Sequence, residues 1–298
     1  MVNFVIIVFC LLAGYLFKRK NLVPANSYKA INAWIIYIAL PAMSFTYLPY
    51  LKWHSELLFA FVAPILVFFG SVLFFYVLSK FITISKRNRV TLSLISGLSN
   101  TSFVGFPLIS AYYDPEFIEI GILCDQMTFF MLSSFGVWFA IKASSKKNEK
   151  VDRLKIFKNI ISFPPLIGCL LAIALSRFVD LEPTKPFFHQ LASTITPLAL
   201  FSIGLQLNLN LGYQFKYISI SILYILILAP LIALTASLLF KLKGDVVQIS
   251  IFEMAMPSLV STSMVLEKYK LNTGLGNSII GLSILIGLVT TYFWYLIL

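Results

Sequence analysis

The stretch SGLSNTSFVGFPLISAYYD, Ser96 to Asp114, decides how this chain is read. Its flanks are apolar enough for a membrane-spanning helix, yet its middle holds Asn100, Thr101, Ser102, Gly105 and Pro107. Proline removes a backbone donor and clashes with the preceding turn, while Ser, Thr and Asn compete for backbone hydrogen bonds. A helix that must satisfy its polar groups internally has no ordinary use for such a cluster.

The surrounding sequence supplies the context. Of 298 residues, 59% are hydrophobic and only 12% are charged, with a mean hydropathy of +0.90. Soluble domains are about 25% charged, so a polytopic membrane protein is expected. The net charge of +11 falls in short clusters between apolar runs. That is the pattern of cytoplasmic membrane loops, and no nucleic-acid partner is expected. Cys10, Cys124 and Cys169 lie far apart inside apolar segments, and His54 and His189 are the only histidines. No disulfide framework and no metal site are predicted.

Apolar runs of spanning length, about 17–25 residues, fall near 2–17, 28–48, 56–79, 90–112, 117–141, 159–178, 187–208, 217–240, 246–266 and 277–297. The longest connection, Lys142 to Lys158, is basic. Of the 23 Lys and Arg residues, 18 fall in the odd-numbered loops and 5 in the even-numbered ones. By the positive-inside rule, the 142–158 loop is cytoplasmic and both termini face outward. The first run is not a convincing signal peptide, because Lys18, Arg19 and Lys20 follow it instead of preceding it.

The chain also resembles itself. FCLLAGYLF (9–17) is similar to GCLLAIALS (168–176), and LPAMSF (40–45) to TPLALF (196–201). The opening stretch aligns with MPSLVSTSMVLEKYK (256–270), which pairs Tyr113 with Tyr269. A first repeat over 1–141, the basic loop 142–158 and a second repeat over 159–298 follow. Five spans per repeat give opposite topology, a property of secondary transporters. The fourth and ninth spans occupy equivalent places, and both are interrupted, at Asn100 to Pro107 and at Pro257 to Ser263. Broken segments in corresponding positions point to a substrate site, and the helix N-termini after each break suit an anion. The plainer reading of each break is a proline kink packed against Ser and Thr.

These residues resemble the auxin efflux carrier family, which includes plant PIN proteins and bacterial malate and malonate carriers. SNTSFVGFPLISAYYD is similar to the family's NTGFLGIP-type stretch, and PLALFSIGLQL (197–207) and AMPSLVSTSMVLEKYKLN (255–272) to its later ones. The resemblance implies an all-α fold of ten transmembrane helices in two inverted five-helix repeats, with helices four and nine broken and crossing at mid-membrane. It implies a scaffold of segments one, two, six and seven, a moving body from the other six, elevator-like transport and a homodimer joined through the scaffold. Asn100 matches the asparagine that faces substrate, Pro107 the first crossover proline and Pro257 the second. Where many relatives carry an asparagine after that second proline, this chain has Ser261, then Thr262 and Ser263. A hydroxyl still donates to a carboxylate, but with one donor instead of two. Auxin itself is therefore not the expected substrate.

Charges within spans are expensive in lipid. Asp125, near Gln126 and Thr128, and Glu253, one turn before Pro257, are candidates to carry a coupling proton or sodium ion; the alternative is polar glue between helices. Asn32 and Ser44, with Ser202 and Gln206, are candidates for the scaffold side of a cavity, or else interhelical hydrogen bonds. Thr101, Ser102 and Ser258 complete the substrate-facing set. No nucleotide loop, HExxH motif or paired intramembrane aspartates occur, so neither an enzyme nor a cofactor is expected.

The reading is a secondary carrier of small organic anions, most plausibly dicarboxylates, in a bacterial-type inner membrane. Two others stay open. A sodium-coupled carrier of the bile-acid type would want cation sites rich in Asn, Gln and Glu at both breaks. A membrane ligand sensor on the same fold would be expected to append a signalling domain, whereas this sequence ends at Leu298.

Overall fold

The computed structural model describes residues 2–144, 161–207 and 214–298. Twelve helices are used below: α1 (Val2–Arg19), α2 (Ser27–Tyr50), α3 (Ser55–Phe81), α4 (Lys86–Ser96), α5 (Phe106–Tyr112), α6 (Pro115–Ala143), α7 (Pro164–Leu175), α8 (Glu182–Gln206), α9 (Phe215–Leu239), α10 (Asp245–Met254), α11 (Thr262–Lys268) and α12 (Thr273–Ile297). Among the described residues, six of them are long and apolar enough to cross a membrane: α2, α3, α6, α8, α9 and α12. The fold is all-helical, and the described residues form no strand beyond one isolated bridge, Ser99 with Ser258. From residue 145 onward, the basic loop expected at 142–158 lies outside the described residues.

Proline shapes several of these helices. Three π-helical turns, Ile35–Ala39, Thr101–Gly105 and Tyr224–Leu228, each end two residues before a proline: Pro41, Pro107 and Pro230. Proline cannot donate to the carbonyl four residues back, and the wider turn absorbs the mismatch. For Pro230 the stranded carbonyl belongs to Leu226. The indole Nε1 of the buried Trp294 donates to it at 2.9 Å, so α12 supplies the bond that α9 lacks.

The chain divides into two compact units, and each draws on both halves of the sequence. The first comprises Met1–His54, Ser102–Ile122 and Lys158–Leu207. Within it α1 lies against α8 at a glycine crossing. A Cβ at Gly14 would sit 2.1 Å from the Phe201 carbonyl oxygen, and one at Gly204 would sit 2.3 Å from that of Leu11. Only glycine permits such backbone contact, the device membrane helices use where lipid offers no hydrophobic drive. Phe17 meets Phe201 edge-on, and Phe45 stacks on Phe188 at 4.6 Å. Lys18 closes the end of α8 by donating to the Leu207 carbonyl at 2.6 Å.

The second unit comprises Ser55–Thr101, Leu123–Phe157 and Asn208–Leu298. Here α3 packs on α4, α9 and α10, and α12 packs on α4 and α9. The buried Tyr224 hydroxyl donates to the Val67 carbonyl at 2.8 Å, tying α9 to α3.

Two substitutions test these contacts. Trp294→Phe keeps an aromatic ring but strands the Leu226 carbonyl, an expected loss of about 1–3 kcal/mol. Gly204→Ala forces the α1–α8 backbones apart, and overpacking of this kind costs about 1–3 kcal/mol or more. Both should lower the thermal unfolding midpoint of the detergent-purified protein.

Candidate functional site

Helix α4 stops at Ser96 and α10 at Met254. Their continuations, residues 98–100 and 257–259, run antiparallel to each other. The Asn100 N–H donates to the Pro257 carbonyl and the Leu259 N–H to the Leu98 carbonyl, each at 2.8 Å. These bonds serve backbone groups that have left helical geometry in an apolar surround, where an unmet group is costly. Pro257 has no N–H to satisfy, which suits it to a place where only its carbonyl is used. The Ser258 N–H donates to the Ser283 hydroxyl of α12 at 3.2 Å.

The side chains around the pair are buried and polar. Asn100, Thr101, Ser258, Thr262, Asp125 and Glu253 are all fully buried. Thr101 donates its hydroxyl to Asp125 Oδ1 at 2.6 Å, a short, charge-assisted geometry. Among the described residues, neither Asn100 Nδ2 nor Asn100 Oδ1 has a hydrogen-bond partner. The same is true of Ser258 Oγ, Thr262 Oγ1 and both oxygens of Glu253. Such a concentration of unmet buried polar atoms is unusual, since nearly all buried polar groups are paired in folded proteins. The arrangement presents an amide with donors and an acceptor, hydroxyls and two carboxyls, a set able to take an anion together with a cation.

Of the residues singled out in the sequence, Asn100, Thr101, Pro257 and Ser258 come together at the paired segments, with Asp125 bound to Thr101. Glu253 lies one turn before the pair on α10. Ser261 and Ser263 flank the start of α11 and are half-buried; Ser263 donates to Asn277 Oδ1 at 2.8 Å. Ser102 and Pro107 are buried and belong to the first unit. So do Asn32 and Gln206, which meet Ser202 between α2 and α8. The Ser202 hydroxyl donates to Asn32 Oδ1 at 2.5 Å, and Gln206 Nε2 donates to the Ser202 hydroxyl and carbonyl at 3.1 Å. Ser44 donates to its own helix at Leu40. Sequence reasoning missed Ser99 and Ser283. Ser99 hides among other polar residues, and Ser283 is a lone serine in an apolar helix, which carries no local signal.

A family profile described as "Membrane transport protein" matches residues 1–295. The chain belongs to this family of membrane transporters, the auxin-efflux type. Within the family, it is 27% identical to an uncharacterized transporter of Methanocaldococcus jannaschii, over 97% of this chain and 96% of that one. It is 21% identical to the uncharacterized transporter YfdV of Escherichia coli, over 97% and 94%. It also matches the lysosomal cholesterol signaling protein of Mus musculus at 24% identity, over 66% of this chain and 24% of that protein. The family membership accounts for the apolar helices: this is an integral membrane transporter.

Ser283→Ala tests the support of the paired segments, because it leaves the Ser258 N–H without its acceptor. The expected loss is about 1–3 kcal/mol, seen as a lower thermal midpoint, and Ser283→Thr should recover most of it.

Proposed function

We propose that this transporter is a secondary carrier of small organic anions, dicarboxylates such as malate or malonate. In this reading α4 with α5, and α10 with α11, are the halves of two broken helices that cross at mid-membrane. They belong to ten transmembrane helices in two inverted repeats, 1–141 and 159–298, joined by the cytoplasmic loop 142–158. Both termini face outward across a bacterial-type inner membrane. Transport is elevator-like, within a homodimer joined through scaffold helices. The division of the chain into two compact units, each built from both halves of the sequence, supports a scaffold and a moving body.

One observation carries the substrate assignment. The Asn100 side chain is fully buried beside the paired segments, and neither its nitrogen nor its oxygen has a partner among the described residues. A buried amide left unmet costs about 1–3 kcal/mol, and a bound carboxylate would satisfy its donors. Thr101, Ser102, Pro107, Pro257, Ser258, Ser261, Thr262 and Ser263 are assigned to substrate binding with Asn100, as are Asn32 and Gln206. Asp125 and Glu253 carry the coupling cation, a proton or sodium ion. Neither oxygen of Glu253 has a hydrogen-bond donor among the described residues, and a carboxylate so placed in an apolar interior needs one or the other.

Proteoliposomes loaded with labelled malonate or malate provide the test. Saturable exchange with external dicarboxylates, and weaker exchange with monocarboxylates, is the expected result. A hydrogen bond to a charged group is worth about 1.5–3 kcal/mol, so Asn100→Ala should slow exchange by roughly ten- to a hundredfold. Exchange of bulky amphiphilic anions alone would point instead to a bile-acid-type carrier.

A sensing role is the second reading, favoured by the likeness to the lysosomal cholesterol signaling protein over 66% of this chain. Sterol binding without movement of any organic anion would establish it.

A further inference from the structure

Among the described residues of the second unit, two acids are buried: Asp125 on α6 and Glu253 on α10, both fully enclosed. They are placed differently. Asp125 Oδ1 accepts the Thr101 hydroxyl at 2.6 Å. Neither oxygen of Glu253 accepts a hydrogen bond from any described residue. Both acids stand beside the paired segments: Asp125 through Thr101, and Glu253 through the adjoining Met254, whose carbonyl accepts the Ser99 hydroxyl at 3.5 Å. Helices α3, α9 and α12 pack against α10. They carry Glu56, Tyr76, Lys80, Lys216, Tyr217, Tyr224, Tyr292 and Tyr295, and none of these donates a hydrogen bond to Glu253. The described residues also contain no group of three or more His, Cys, Asp or Glu side chains suited to a metal ion.

We propose that Asp125 and Glu253 share a single proton in the empty carrier, and that Thr101 is the positioning residue through which an anion at the crossover controls it. Two like carboxylates in one buried neighbourhood cannot both stay ionised cheaply, so they titrate as a pair. The Thr101 hydroxyl favours the negative charge on Asp125, which leaves the proton on Glu253. Thr101 directly follows Asn100, whose N–H is held by Pro257. An incoming carboxylate bound at Asn100 therefore competes with Asp125 for the same hydroxyl. The Thr101 O–H bond stays intact, and its hydrogen bond moves from Asp125 to the ligand. Asp125 then takes a proton from the adjoining aqueous phase, forming its own O–H bond, so that one proton enters with each anion. Release reverses both moves. This rests on the reading of the crossover as the anion site, and it names the coupling ion as a proton.

Two measurements on the full-length protein test it. The first needs no substrate. Infrared difference spectra of the protein in lipid nanodiscs, taken across pH, should show a protonated-carboxyl band that titrates. The band should be absent in Glu253→Gln, displaced in pH in Thr101→Val and restored in Thr101→Ser. A band unchanged in Glu253→Gln, or a titration indifferent to Thr101→Val in a folded protein, overturns the proposal. The second loads proteoliposomes with a pH-sensitive dye and adds external malonate. One proton per malonate is expected in the wild type, with the ratio falling towards zero in Thr101→Val and recovering in Thr101→Ser. Malonate uptake that requires sodium and moves no proton also overturns it. A titrating band that responds to both substitutions, without any malonate movement, supports the shared proton and overturns the dicarboxylate reading instead.

Discussion

A backbone that leaves the helix in an apolar interior must find other partners for its N–H and C=O groups. Two short antiparallel segments meet that constraint here. Residues 98–100 and 257–259 lend each other the hydrogen bonds that α4 and α10 no longer provide. They come from distant parts of the chain, so neither can leave its helix without the other. Once they pair, Asn100, Thr101 and Ser258 are held next to one another, and α12 is drawn in through Ser283.

The same need recurs along the helices. Every proline that interrupts a helix strands a carbonyl, and α9 recovers one by borrowing the Trp294 indole from α12. In the first unit the concern is contact rather than hydrogen bonding. Gly14 and Gly204 bring two backbones together so closely that no other residue would fit. Lipid rewards neither burial of leucine nor open polar groups, and both units answer with close backbone contact and borrowed hydrogen bonds.

The surroundings of the paired segments invert this economy. Where Tyr224, Trp294 and Ser202 find partners, the neighbourhood of the paired segments leaves many buried polar atoms open among the described residues, including both ends of the Asn100 amide and both oxygens of Glu253. Structure that leaves such groups unmet is less stable than it need be. The polar set between α2 and α8 is different in kind, since Asn32, Ser202 and Gln206 are bound to one another.

Much of this was legible in the residues. Composition alone placed the chain in a membrane, because 12% charge cannot cover a soluble surface. The motif around Asn100 and its echo around Pro257 were enough to recognise the family, since few apolar stretches tolerate Asn, Thr, Ser and Pro together. What a linear reading could not supply was pairing. That Thr101 would reach Asp125, that Ser283 would hold Ser258, and that Asn32 would be bound by Ser202 all depend on contacts across 24, 25 and 170 residues. A hydroxyl or amide has the same sequence signature whether it is bound or open. Only the tertiary structure separated the two, because the distinction is set by which helix lies opposite.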